Sequence, residues 1–323
     1  MPKVIGCLIL MLLADKSVRA VEHYSLFDTS YVSKSDGSKG YRDIVLFKDN
    51  FIAVGTDGRI DGISKSGEKI SVDSSCTYNL HCAFSNEEIL IAAGDHGTIL
   101  YSSDGRSFYR AESGTDKNIN GITFKNGLII AGADNGTILT SKNGISWNIV
   151  PTKIKGNIVS LTANNSFFIG ITDAGEIIKS YDGIHWEIKD YNKEYAGYNL
   201  HATFRKIMAA QNTLVIIGTH EDGSPAILFS SLGNVWSERS PVYQDAQGLF
   251  SSLNQRPNAI TYDPERDQFI VACDHGELLS LPSCSKCDKY AKISETNLHA
   301  IIYFDNRLLI VGGGYSVFIQ RLQ

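Results

Sequence analysis

The chain has 323 residues, a formal net charge of −5, 43% hydrophobic and 20% charged residues. That balance belongs to an ordinary globular chain, and without a clustered basic surface nucleic acid is excluded as the main partner. Twenty-nine glycines against 7 prolines indicate many tight turns rather than a disordered linker.

At the N-terminus Lys3 precedes the apolar run "VIGCLILMLL" at 4–13, and Val18 and Ala20 take the small-residue positions before a cleavage point. This is the layout of a secretory signal, and the run is too short to span a bilayer. Cys7 stands near the start of the apolar run instead of after it, which argues against a lipid anchor. We expect a signal peptide over 1–20, a single domain over 21–323, no transmembrane segment, and a secreted or periplasmic location. Losing Lys3, Lys16, Arg19 and Asp15 removes a net +2 and leaves the mature chain near −7.

A repeat follows. Asn79, Asn118 and Asn157 open similar segments 39 residues apart; Asn199, Asn258 and Asn297 follow after 42, 59 and 39. Counting back 39 from Asn79 gives Gly40, so the chain holds seven units. Each unit reads as a short strand ("LHCAF", "INGITF"), a polar turn, a near-continuously apolar strand ("ILIAAG", "LIIAGA"), a Gly-bearing turn, a third strand ("TILYS", "TILTS") and a fourth after a second turn. Four short β-branched strands per unit of this length predict an all-β, seven-bladed β-propeller of four-stranded antiparallel blades. The last unit supplies three strands, and "EHYSLF" at Glu22–Phe27 belongs to no unit. We expect it to join the last blade as its outer strand and close the ring, since closure removes exposed edges.

The second turns of the first five units, "SKSGEKI", "SSDGRSF", "SKNGISW", "SYDGIHW" and "SSLGNVW", share the skeleton Ser, any residue, Asp or Asn, Gly, two residues and an aromatic. It is spelled by Ser102, Asp104, Gly105 and Phe108, by Ser141, Asn143, Gly144 and Trp147, and by Ser180, Asp182, Gly183 and Trp186. A weaker copy is Ser230, Gly233 and Trp236. A short carboxylate or amide accepts backbone N–H groups two residues on, and Gly supplies positive φ. The aromatic is expected to fill the space between blades. A feature recurring in so many units is structural; a catalytic residue would be singular.

In a propeller the starts of the inner strands and the turns between second and third strands gather around one mouth of the central channel. Arg42, His81, His201 and His299 occupy the second position after the opening residue. They form either a polar or metal-binding cluster or a set of residues bonded to backbone between blades; we expect no metal and no cofactor. Asp43 stands at the next position, where the other units carry small uncharged residues. It is either paired with Arg42 or a lysine, or faces the channel as a functional group. His96 and His275 stand in the "DHG" turns, whose form accounts for their Asp and Gly but not for their His.

Residues 241–257 lengthen the link between units five and six and contain Tyr243, Phe250 and Arg256, a mixture suited to a protein contact, although loops also drift. Unit six replaces the second turn by "SCSKC", where Cys284 and Cys287 suit a disulfide better than half of a zinc site. Cys76 and Cys82 are candidates for a second bridge, leaving Cys273 odd.

The turn skeleton resembles the Asp-box, or bacterial neuraminidase repeat, and "GDHGTILYSSDGRSF" resembles repeats of the photosystem II stability/assembly factor family. The resemblance covers most of residues 40–323, most closely units two to four. It implies a propeller whose boxes lie on the face away from the ligand-binding mouth. The leading expectation is an exported, monomeric, non-enzymatic propeller that binds a protein or carbohydrate at its top face. The alternative is a sialidase-like or other glycoside hydrolase, although the Arg-Ile-Pro motif of sialidases is absent and Asp43 has no evident carboxylate partner.

Overall fold

The computed structural model describes residues 39–65, 69–70, 72, 74–194, 201–239, 242–244, 250–252, 255–282 and 289–322. Its strands form seven antiparallel sheets and one small hairpin. Blade 1 contains β1 (Tyr41–Phe47), β2 (Asn50–Gly55), β3 (Ile60–Ser64) and β4 (Lys69–Ile70). Blade 2 contains β5 (Leu80–Ser85), β6 (Leu90–Gly94), β7 (Ile99–Ser102) and β8 (Tyr109–Ala111). Blade 3 contains β9 (Ile119–Lys125), β10 (Leu128–Ala133), β11 (Ile138–Ser141) and β12 (Asn148–Val150). Blade 4 contains β13 (Ile158–Ala163), β14 (Phe168–Thr172), β15 (Glu176–Ser180) and β16 (Glu187–Asp190), followed by one helical turn, α1 (Tyr191–Glu194). Blade 5 contains β17 (Ala202–Ala210), β18 (Thr213–His220), β19 (Pro225–Ser230) and β20 (Ser237–Glu238); the hairpin β21 (Val242–Gln244) and β22 (Phe250–Ser252) comes next. Blade 6 contains β23 (Pro257–Asp263), β24 (Gln268–Cys273), β25 (Glu277–Pro282) and β26 (Lys289–Lys292). Blade 7 contains β27 (Leu298–Phe304), β28 (Arg307–Gly312) and β29 (Val317–Arg321).

The first strands follow one another around a central axis, and β27 packs on β1 to close the circle. The near-continuous apolar second strands now have their explanation. Successive side chains on a strand point to opposite faces, and both faces of each blade are covered by a neighbour. Phe51 and Ala53 on β2 pack into a cluster with Phe304, Leu309 and Val311 of blade 7. Their neighbours Ile52 and Val54 pack with Leu80, Leu90 and Ala92 of blade 2. The core is therefore divided among blade interfaces rather than gathered at one centre.

Cys76 and Cys82 do not form the bridge considered from the sequence; both are free thiols, as is Cys273. Cys76 packs on the blade 1–2 interface, and Cys82 is buried in the blade 2–3 interface. The blade itself separates them. The Cys284–Cys287 pair, the strand expected at Glu22–Phe27 and the signal segment lie outside the described residues.

Candidate functional site

The site is the mouth of the channel, and a β-bulge in each first strand builds it. Tyr41 pairs with Gly55 and Asp43 with Val54, so Arg42 is an extra residue with no partner across the ladder. A bulge of this kind re-aims side chains. The same shift places His81, Asn120, Val159, Arg205, Asn258 and His299 as the extra residues of the other blades. All seven bulge residues line one open cavity of about 480 Å³. The residues that follow them, Asp43, Cys82, Gly121, Ser160, Lys206, Ala259 and Ala300, line a narrower space of about 230 Å³ below it.

This register corrects the sequence reading in two blades. In blade 5 the hairpin of β17 and β18 gains the pairs Ala202–His220 and Thr203–Thr219 above the usual first pair. His201 therefore stands exposed beyond the mouth, and Arg205 takes the position assigned to it. In blade 6 the carbonyl of Arg256, not of Asn258, accepts the N–H of the turn residue Asp274. Asn258 is thus the bulge residue, and Arg256 opens the unit.

Asp43 is consequently not a solitary charge. Its Oδ1 accepts the N–H of Ile44 at 3.0 Å and its Oδ2 accepts that of Ala83, in the next blade, at 3.0 Å. Lys206 reaches across the channel to within 4.0 Å of Oδ2. Ser160 and Thr261 likewise accept backbone N–H groups of the following blade, from Ile207 and Tyr303. The channel wall is itself an inter-blade fastening.

His96 and His275 also find their explanation. Both have left-handed backbone, with φ of 54° and 55°, as do Asp57 and Asn135 at the matching turn position. Asp, Asn and His tolerate that region better than other side chains bearing a Cβ. The N–H so exposed donates to the opening Asn of the next blade: His96 to Asn118 at 3.1 Å, Asn135 to Asn157 at 2.9 Å, and His275 to Asn297 at 3.1 Å. These histidines are exposed turn residues, removed from any common centre. Among the described residues no group of three or more His, Cys, Asp or Glu side chains is placed to hold a metal ion.

Apart from the apolar Val159 of blade 4, the bulge residues divide into two sets. In blades 2, 3 and 6 they bond an aspartate in the turn of their own blade: His81 with Asp95, Asn120 with Asp134 at 2.8 Å, and Asn258 with Asp274 at 2.8 Å. In blades 1 and 7 the corresponding turn position holds Thr56 and Gly313, and in blade 5 the hairpin is extended. The bulge residues there are Arg42, His299 and Arg205. His299 Nδ1 donates to the carbonyl of Tyr41 at 2.8 Å. Burial holds its pKa below the ordinary value, and the adjacent Arg42 and Arg205 push the same way.

At the opposite end of the strands the Ser-Asp-Gly turns are closed on themselves. Asp104 Oδ1 accepts the N–H groups of Arg106 and Ser107 at 2.8 Å, and Ser102 Oγ accepts that of Gly105 at 2.9 Å. Asn143 and Asp182 repeat the pattern. In blade 5 Leu232 replaces the acceptor, and the Ser230–Gly233 bond remains. Trp147 and Trp186 donate to the carbonyls of Gly144 and Gly183, and Trp236 is buried. The ring of Phe108 packs at the blade 1–2 interface. Tyr243 and Phe250 lie in β21 and β22, on the link that enters the mouth side.

No protein-family model matches the chain, and no curated protein sequence matches it. Solved structures do. The WD40 propeller domain of Doa1 superposes with a TM-score of 0.66 at 13% identity, over 88% of this chain and 94% of that one. YCF48 from Cyanidioschyzon merolae gives 0.62 at 14%, over 89% and 97%. YCF48 bound to D1 peptide gives 0.65 at 14%, over 89% and 95%. The fold is a seven-bladed β-propeller. At such identities the likeness concerns the fold and leaves function to the site.

Proposed function

We propose that this chain is a protein-binding propeller that engages its partner at the channel mouth, and that it acts after export. The observation that carries the reading is where the chain departs from its own repeat. The lengthened β17–β18 hairpin, the β21–β22 hairpin and the α1 turn all lie on links or turns at the mouth end. At the other end the described turns of blades 2, 3 and 4 are closed on themselves. Departures from a repeating unit on one face are a common way such scaffolds acquire a binding surface. A propeller of this shape solved with a bound peptide supports the reading by analogy.

The test is affinity capture from the exported fraction with three versions of the chain: wild type, residues 242–252 replaced by a Gly-Ser linker, and Lys142→Glu on the far face. Loss of the captured protein with the linker version alone supports the proposal. Loss with Lys142→Glu alone refutes it. Retention of residues 1–20 by the exported protein would contradict the expected signal.

A further inference from the structure

We infer that the groove between blades 2 and 3, on the far face, is a binding site for a small linear aliphatic diamine, held between the carboxylates of Glu87 and Glu88 and the backbone carbonyl of Lys142. The site is separate from the channel mouth and independent of what the mouth binds.

Three observations lead there. The first is a fastening that neighbouring grooves have and this one lacks. On the far face a lysine of one blade reaches the Ser-Asp-Gly turn of the next. Lys48 of blade 1 donates to the carbonyl of Ser103 at 2.6 Å, and Lys125 of blade 3 donates to that of Tyr181 at 3.4 Å. Lys189 of blade 4 donates to the carbonyl of Asn234, in the turn of blade 5, at 2.6 Å. Lys142 holds the place of Ser103 and Tyr181 in the turn of blade 3. Among the described residues no lysine of blade 2 reaches its carbonyl. Counting from the first paired residues Tyr41, Leu80 and Ile119, Glu87 stands where Lys48 does and Asn86 where Lys125 does. Asn86 is committed to its own turn, accepting the N–H groups of Glu88 and Ile89 at 2.9 and 2.8 Å. The groove thus keeps the acceptor and carries a negative charge in place of the lysine.

The second is the space left behind. Without a lysine across it, the groove opens into a cavity of about 890 Å³ lined by Ile89, Tyr101, Phe124 and Ile145. Phe124 is 39% exposed, so a face of its ring is free to meet a ligand. The lysines of the neighbouring grooves lie over rings in the same way, Lys48 at 5.2 Å from the centroid of Phe47 and Lys125 at 5.0 Å from that of Phe168. An ammonium is attracted to an aromatic face at such distances, and an alkyl chain covers an apolar wall as a lysine stem does.

The third is charge. Glu87 and Glu88 are exposed, and neither engages a cation among the described residues. With Lys142 they are the charged residues of the wall, which therefore carries a net single negative charge. Carboxylates at one end and a bare carbonyl at the other suit a short chain with an ammonium at each end, whereas a monoamine satisfies one end only. Lys142 is itself exposed, and its ammonium opposes the ligand instead of holding it, so removing that charge has a predictable sign.

The test is isothermal titration of the full chain with diaminopentane, pentylamine and pentanediol at low and at physiological ionic strength. Diaminopentane is expected to bind about tenfold tighter than pentylamine, through its second charged hydrogen bond, and to weaken with salt. Pentanediol is expected not to bind. Glu87→Gln combined with Glu88→Gln is expected to weaken the diamine about fivefold, and Phe124→Ala to weaken it about threefold. Lys142→Gln is expected to tighten it about twofold. Melting curves verify that each variant folds, and the Gln changes, confined to exposed side chains, carry the test if Phe124→Ala does not fold. Equal affinity for the three compounds, binding of none, or indifference to the double Gln change overturns the site, as does weaker binding with Lys142→Gln. Loss with Asp173→Asn in place of the Gln changes would move the amine to the channel mouth and overturn the groove. If a Gly-Lys-Gly peptide with blocked ends binds more tightly than diaminopentane through the same residues, the groove is a peptide contact and the free diamine is the wrong ligand.

Discussion

Tyr315 Oη lies 2.7 Å from Thr56 Oγ1, joining the last blade to the first across a sequence separation of 259 residues. Gly40 N–H donates to the same Thr56 oxygen at 3.2 Å, and Gly40 and Gly313 form an isolated bridge beside it. The Tyr315 ring meets Tyr41 edge-on at 5.3 Å and carries the Arg59 guanidinium over its face at 4.4 Å. Tyr41 in turn donates to Asp61, to which Arg59 also binds. Removing one hydroxyl from this seam tests whether it holds the ring. Tyr315→Phe keeps both ring contacts and leaves Thr56 short of a partner, so urea unfolding should show a loss of about 1 kcal/mol. Thr56→Val should cost more than Tyr315→Phe and should still add a loss in the Tyr315→Phe background, because it also removes the acceptor of the Gly40 N–H.

The channel ion pair makes an asymmetric prediction. Asp43→Ala strips the acceptor from the Ile44 and Ala83 N–H groups and leaves Lys206 without its carboxylate. Both side chains retain some solvent, so the expected cost is about 2 kcal/mol rather than the full penalty of a buried charge. Lys206→Met removes the cation and keeps both backbone bonds to Asp43. It should cost under about 1 kcal/mol by the same measurement.

Asp104 shows how the Ser-Asp-Gly turns respond to pH. Hydrogen bonds from the backbone N–H of Ser107, then Arg106, lower its pKa to about 2. A carboxylate with a depressed native pKa contributes stability above its unfolded value near ~4, and loses it as pH falls from there through the native value. Asp104→Asn keeps an acceptor, as Asn143 does in blade 3, and should flatten the acid limb of stability between pH ~4 and ~2 with little change at neutral pH. Asp104→Ala should lose about 1 kcal/mol at neutral pH, in the manner of a lost cap.

Two glycines separate backbone conformation from crowding. Gly97 and Gly127 both have positive φ, 64° and 77°, so an added Cβ carries a similar conformational cost of about 1 kcal/mol at either. At Gly127 it would meet nothing within 4 Å, whereas at Gly97 it would lie 1.9 Å from the carbonyl oxygen of Thr115. Gly127→Ala should shift the melting temperature by only a few degrees. Gly97→Ala must displace the blade 2–3 link and should cost at least twice as much. Equal effects would mean that the close approach is not a constraint.

The blades were legible in the sequence because each unit repeats a strand pattern that burial on both faces demands, as Phe51 and Ile52 show by packing into different interfaces. The register at the mouth was not. Lengthening the β17–β18 hairpin by residue pairs preserves the alternation of side chains, so the apolar pattern of "ATFRKIMAA" looks unchanged while His201 is carried out and Arg205 brought in. Asn258 misled for a similar reason: it stands where a bulge, rather than a strand start, needs an amide. One signal was present. The charged pair Arg205–Lys206 inside an apolar strand matches Arg42–Asp43 in the first unit, and aligning those pairs gives the observed ring.

The claim on which the rest depends is that partner contact occurs at the channel mouth and not at the Ser-Asp-Gly face. A photo-crosslinking residue, p-benzoylphenylalanine, placed at Thr203 beside the mouth and separately at Lys142 on the far face tests it directly, since both positions are exposed. After capture and irradiation in the native extract, the account predicts a crosslinked partner from position 203 and none from position 142. A crosslinked partner from position 142 alone, or equal yields from the two, would contradict it.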